Sequence, residues 1–233
     1  MSSLQPATLL SRLPNFDPRA VPVARVDRHL PAVPQQSLEA EALAVRFKTP
    51  PVWVPEVVAE PRYSHRSAVL ASVLVPIVLR ERPMVLLTQR TSHLSTHSGQ
   101  IAFPGGKHDA SDIDLVATAL REAREEVGLS HRFVQVLGSL PVYATGSAFM
   151  ITPVVALVHT GFSISRNTDE VAAVFEVPLE YLMDPANHRW HQMHAEGVSR
   201  EWISMPYQDD LQDRFIWGAT AGMLRNLYRF LSA

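Results

Sequence analysis

The sequence predicts an α/β layered domain on three observations. Apolar runs of strand length recur between residues 68 and 177, amphipathic helical segments lie among and after them, and the two breaker residues are unevenly spread. Ten of the 18 prolines fall in residues 1–62, whereas all ten glycines fall at or after Gly99. Strands interleaved with helices pack as layers around one core.

The first segment holds two short helical stretches, Pro6 to Leu13 and Gln36 to Phe47, separated by proline-punctuated chain. Proline offers no N–H to a ladder, so this chain cannot form a central strand. We read residues 1–62 as an arm packed on a main domain of residues 63–233. A partly disordered tail is the alternative, because prolines this dense also mark linkers.

From Ala68, AVLASVLVPIVL and then MVLLTQR, on either side of the Arg82-Pro83 turn, predict a hairpin. Gly105-Gly106 breaks the chain, and Ile113 to Val127 predicts a helix closed by Gly128. Strand composition returns in Phe133 to Tyr143, Phe149 to Val158 and Val171 to Val177. Ile216 to Leu231 closes the chain as an amphipathic helix, with Trp217, Leu224, Leu227, Tyr228 and Leu231 on one face.

Composition narrows the function. With 46% hydrophobic and 19% charged residues the chain is globular rather than disordered. A net charge of −2 gives no general attraction to nucleic acid or anionic lipid. The absence of cysteine excludes disulfides, thiolate metal sites and a cysteine nucleophile. Ala68 to Leu79, the longest apolar run, is well short of the roughly 20 residues that cross a bilayer. The first residues show neither a basic leader nor a long apolar stretch, so a cytoplasmic location is expected.

On a helical wheel Val116, Ala119, Leu120, Ala123 and Val127 share one arc, the expected core face, and Glu122, Glu125 and Glu126 share the arc beside it. Like charges at this spacing repel, and Arg121, four residues before Glu125, is their one intrahelical partner. A solvated helix face is the bland explanation of such a cluster. A hard divalent cation is the other, since Mg²⁺ and Mn²⁺ take oxygen ligands and often share them with phosphates. Phe103-Pro104-Gly105-Gly106 lies just upstream, and its glycines let backbone approach a ligand closely.

Gly106-Lys107 through Arg121-Glu122-Ala123-Arg124-Glu125-Glu126-Val127-Gly128-Leu129 resembles the Nudix box, G-x5-E-x7-R-E-U-x-E-E-x-G-U. The second half matches in full. In the first half Asp112 replaces Glu, and eight residues rather than seven precede Arg121. Leu86-Leu87-Thr88-Gln89-Arg90, Gly99 and Phe103-Pro104-Gly105-Gly106 are similar to the signature of the coenzyme A pyrophosphatase branch, with Thr91 in place of Ser or Ala and Ser95 in place of Arg. GSAFMITPVVALV and DEVAAVFEVPLEYLMD also resemble that branch.

The resemblance implies a Nudix-type α/β/α sandwich with a mixed sheet and Mg²⁺- or Mn²⁺-dependent hydrolysis of coenzyme A or its thioesters. It assigns Glu122, Glu126 and the Gly105 carbonyl as metal ligands, and Glu125 as a ligand directly or through water. Arg121 orients Glu125, and Glu170, with Asp169 as the fallback, is the candidate base. Arg90 and Lys107 are candidates for phosphate contact, and Gly99, Gln100, Phe103 and Gly106 for the rest of the substrate site, with His93 and His97 on the same loop. The implied partner is a small nucleotide diphosphate, with neither nucleic acid nor membrane. Two alternatives stand: another diphosphate such as ADP-ribose, a dinucleotide or a modified nucleotide, and a Nudix-fold regulator without catalysis. The spacing of His188, His191 and His194 does not predict zinc. Trp190 and Trp202 are open to adenine stacking or to core packing. The arm is free to cover the site, form a homodimer contact or cap the sheet.

Overall fold

A computed structural model describes residues 17–60, 67–91, 99–195, 198–210 and 212–233. The expected helix at Pro6 to Leu13, His93, Ser95 and His97 lie outside them. Eight strands make a mixed sheet: β2 (Val69–Leu79), β3 (Pro83–Arg90), β4 (Ile101–Ala102), β5 (Gly105–Lys107), β6 (Val134–Ser139), β7 (Tyr143–Ala144), β8 (Phe149–Val158) and β9 (Val171–Pro178). Its spine runs β4-β3-β2-β8-β6, and β5, β7 and β9 pair with β2, β8 and β3. Among the described strands of this sheet β2 and β8 alone run parallel, from Val69↔Phe149 to Val78↔Val158. The predicted hairpin is β2–β3, closed at Leu79↔Pro83.

Alternation along the central strands fills two cores. Leu74, Val78, Leu86, Val154, Ala156 and Val158 point to one face, where Ala119, Ala123 and Val127 of α2 (Leu115–Val127) cover them. Val75, Ile77, Val85, Leu87, Val155 and Leu157 point to the other. That face is covered by α4 (Gly218–Leu231) and by a second, antiparallel sheet of β1 (Val23–Val26), β10 (Arg189–Ala195), β11 (Val198–Gln208) and β12 (Asp213–Trp217). Val33, Leu38 and Leu43 join this core, the last from α1 (Ala40–Lys48). No described helix is long and apolar enough to cross a membrane.

Four elements differ from expectation, the first being Gln36 to Phe47, which is a 3-10 turn at Gln35–Leu38 followed by α1, with the extended Glu39 between them. Phe133 to Tyr143 is two strands, β6 and β7, divided by a stretch containing Pro141, which has no N–H for the ladder. Ile216 and Trp217 belong to β12, where Ile216 pairs with Met205, and α4 begins at Gly218, whose φ is +63°. The pairing of β10 with β11 and β12 has no counterpart in the sequence reading. Its signal was a glycine, Gly197, between two runs carrying tryptophan, the composition of a short hairpin.

Candidate active site

Helix α2 is fixed at both ends by local chemistry. Asp114 Oδ1 accepts the Ala117 N–H at 2.7 Å, a side-chain N-cap, and Gly128 takes the left-handed turn at φ 73°. Between these ends Arg121 is a hub. Its Nε and Nη2 donate to the two Asp112 oxygens at 2.9 and 3.0 Å. Its Nη1 donates to Glu122 and Glu125, both at 2.9 Å, and Nη2 also reaches the Lys107 carbonyl at 3.1 Å. The guanidinium holds the Asp112 carboxyl well below the usual carboxylate range. Asp112, which stands in the sequence where the motif has glutamate, is thus the main partner of Arg121. A helical wheel cannot show this pair, because Asp112 lies before the helix.

The three helix carboxylates are not equivalent. Glu125 is 57% exposed, whereas Glu126 is buried at 5%. Glu126 Oε2 accepts the Gly105 N–H at 3.3 Å, and Oε1 lies 3.9 Å from Arg90 Nη1. Burial pushes the Glu126 carboxyl up to about 7, against the pull of the Gly105 N–H and Arg90. Burial also raises Glu122, with Arg121 opposing it. The negative charge of Glu170 adds a small upward push to both residues, and its loop is joined to the end of α2 by the Asn167 N–H, which donates to the Glu126 carbonyl at 2.8 Å.

The glycines admit this close approach. Gly105 and Gly106 pair with Val73 and Ser72 of β2, and a Cβ on Gly106 would sit 2.5 Å from Glu122 Oε1. Lys107, His108, Asp109, Ser111, Arg121, Glu122 and Glu125 line an open cleft of about 500 Å³. Gly99 is in a left-handed turn, and the Gln100 carbonyl accepts the Arg90 N–H at 2.9 Å. Phe103 is 3% exposed and packs in the core behind the cleft.

Among the described residues no three acidic or histidine side chains are already gathered around one point as a closed metal cage. The oxygen donors nevertheless suit a hard cation: among the described residues Glu126 is a buried carboxylate that accepts one N–H bond. The buried Arg90 Nε, an N–H donor with no hydrogen-bond partner among them, suits an anionic oxygen such as a phosphate's. His188 and His191 are buried separately, bonded to the Leu182 carbonyl and to Ser204. Trp190 and Trp202 are core residues, 6% and 8% exposed.

A model of the NUDIX domain matches residues 69–206, more than half of the chain. The chain belongs to the Nudix hydrolase family. It is 43% identical over 157 residues to a protein of Yersinia enterocolitica described as an uncharacterized Nudix hydrolase, NudL, with 67% of this chain and 78% of the relative covered. The NudL protein of Yersinia pestis is 41% identical over 162 residues, covering 70% and 79%. Among solved structures, a C. elegans Ap4A hydrolase binary complex is similar over 51% of this chain and 86% of that one, with 21% identity and a TM-score of 0.42. As a member of this family the chain is a Nudix-type diphosphatase.

Proposed function

We propose that this Nudix hydrolase cleaves the diphosphate linkage of coenzyme A or an acyl-coenzyme A, releasing 3′,5′-ADP and 4′-phosphopantetheine or its acyl form. One observation supports this reading above the others. The two halves of the sequence signature, Leu86–Arg90 and Phe103–Gly106, meet at a single carboxylate, since Arg90 and Gly105 both address Glu126.

In this reading Glu122, Glu126 and the Gly105 carbonyl hold Mg²⁺ or Mn²⁺, with Glu125 contributing directly or through water. The bound ion neutralises diphosphate charge and makes the attacking water more acidic. Arg121 fixes the carboxylates of Glu122 and Glu125 in orientation and keeps Asp112 ionised. Glu170 takes the proton of the attacking water as an oxygen–phosphorus bond forms and the bridging bond breaks. Arg90 and Lys107 contact phosphate oxygens, while Gly99, Gln100, Phe103 and Gly106 shape the loop that receives the rest of the substrate.

The test is turnover with Mn²⁺ on a panel of coenzyme A, acetyl-coenzyme A, ADP-ribose and a dinucleoside polyphosphate. Coenzyme A or its thioester is expected to give the highest kcat/KM. A clear preference for ADP-ribose or the dinucleotide would overturn the substrate assignment and leave the diphosphatase chemistry standing.

A further inference from the structure

Glu170 stands on a loop, yet the main chain around it is held from two sides. On one side is Thr91, the residue after Arg90 and itself buried at 6% exposure. The Thr91 N–H donates to the Glu170 carbonyl at 3.0 Å, and the Thr91 hydroxyl donates to the Asp169 carbonyl at 3.2 Å. On the other side is Asn167. Its side-chain oxygen accepts the Asp169 N–H at 3.1 Å, and its carbonyl accepts the N–H groups of Glu170 and Val171 at 3.2 and 2.8 Å. The Asn167 N–H in turn donates to the Glu126 carbonyl at 2.8 Å.

These bonds close a circuit among three distant segments. Glu126 on α2 faces the Arg90 guanidinium, Thr91 follows Arg90 and grips the Asp169-Glu170 peptides, and Asn167 ties that turn back to the main chain of Glu126. Ser165 strengthens the seam, donating its N–H to the Val127 carbonyl at 3.0 Å. The loop therefore follows the C-terminal turn of α2 as one body, and a catalytic geometry is kept only when its supporting groups are fixed in this way.

We propose that Thr91 and Asn167 are positioning residues that brace the Asp169-Glu170 turn, holding the main chain that carries Glu170 against Arg90-Thr91 and the C-terminal turn of α2. The inference rests on the metal-dependent reading of this site. Threonine at position 91 keeps the hydroxyl that serine, one of the two residues of the similar branch, would supply.

The test compares Thr91→Val, Thr91→Ser, Asn167→Ala, Glu170→Gln and the double variant Thr91→Val/Glu170→Gln. Each is read by turnover on coenzyme A, by Mn²⁺ affinity from calorimetry without nucleotide, and by Tm. Thr91→Val, which keeps volume and loses the hydroxyl, is expected to lower kcat about tenfold, the rate equivalent of one net hydrogen bond, with KM, Mn²⁺ affinity and Tm little changed. Thr91→Ser restores kcat. In the Glu170→Gln background Thr91→Val adds less than about twofold, because groups acting through one another are not additive. Asn167→Ala reproduces the kcat effect from the opposite side of the turn and serves if Thr91→Val does not fold.

A full tenfold loss on top of Glu170→Gln, or Thr91→Val and Asn167→Ala proteins with wild-type turnover, would overturn the brace, and so would a kcat loss that comes with an equal loss of Mn²⁺ affinity or of Tm. Glu170→Gln with wild-type turnover would instead overturn the role given to Glu170 itself. A wild-type chain that takes up no Mn²⁺ would overturn the reading on which both depend.

Discussion

Arg225 on α4 and Glu126 on α2 are both buried charges, 1% and 4% exposed, but their surroundings differ in kind. Arg225 Nη2 lies 2.9 Å from Asp27, Nε donates to Glu56 at 2.8 Å, and Nη1 donates to His188 Nδ1 at 3.0 Å. Asp27 also accepts the Trp190 indole N–H at 2.8 Å, and His188 Nε2 is 2.8 Å from the Leu182 carbonyl. With its Nδ1 accepting, the ring donates from Nε2 and is neutral. Glu126 has one N–H at 3.3 Å and a guanidinium at 3.9 Å. A buried charge whose bonds are satisfied within the protein joins elements together; one left short of partners favours a ligand that completes them. The first cluster ties residues 17–60 to α4, and the second lies on α2 next to Gly105 and Arg90.

The contrast breaks most sharply by removing each charge in turn. Glu126→Gln is expected to lower turnover about 10³-fold while the metal-free protein keeps or raises its Tm, because the amide carries no buried charge. Unchanged turnover would remove Glu126 from the metal site. Arg225→Ala is expected to do the reverse, costing about 3 kcal/mol in denaturant unfolding because buried Asp27 keeps only the Trp190 N–H and the more distant Arg25 guanidinium at 3.6 Å, and Glu56 and His188 also lose their partner. A loss below about 1 kcal/mol there would show the cluster to be wetter than its burial implies.

Acid titration sharpens the same comparison. Burial, helped by the Arg225 charge, lowers His188 from 6.5 to about 4 against the upward pull of the Leu182 carbonyl, Asp27 and Asp184. The unfolded chain then binds a proton that the folded chain refuses, so stability from this group is complete above pH 6.5 and falls as pH drops toward 4, by on the order of 3 kcal/mol. Urea midpoints measured across that window should decline in the wild type and decline less in His188→Gln. Glu126 behaves oppositely, since its carboxyl is raised from 4.5 to about 7. Its contribution to the metal-free fold is present at low pH and lost as pH rises through 7, so Mn²⁺ should raise Tm more at about pH 8 than at about pH 6. An equal rise at both would mean that this carboxylate does not meet the ion. The smallest effect belongs to the helix itself: Asp114→Ala removes one cap and should cost about 1 kcal/mol, read from thermal unfolding.

Helix α2 was legible because everything that defines it is local. Its apolar stripe, its closing glycine and the Arg121–Glu125 pair depend on residues within one or two turns of each other. The Gly105-Gly106 break was legible for the same reason. Asp112 was not legible as Arg121's main partner, since that pair joins a loop to a helix. The small sheet escaped because its strands mix tryptophan, histidine and arginine, residues that become core only when α4 and residues 17–60 close around them. Arg225 looked like one more polar residue of an amphipathic helix until the fold brought Asp27, Glu56 and His188 to it.

By itself, then, the sequence determined that three glutamates share one arc of a capped helix behind a glycine pair, because helical periodicity needs no distant partner. Only the tertiary structure decided that they are unequal: Glu126 is buried, Glu122 partly covered and Glu125 turned to solvent. Burial is set by what packs on the helix. Here that is Gly105, 21 residues upstream, the Arg90 side chain from β3, and the loop that carries Glu170.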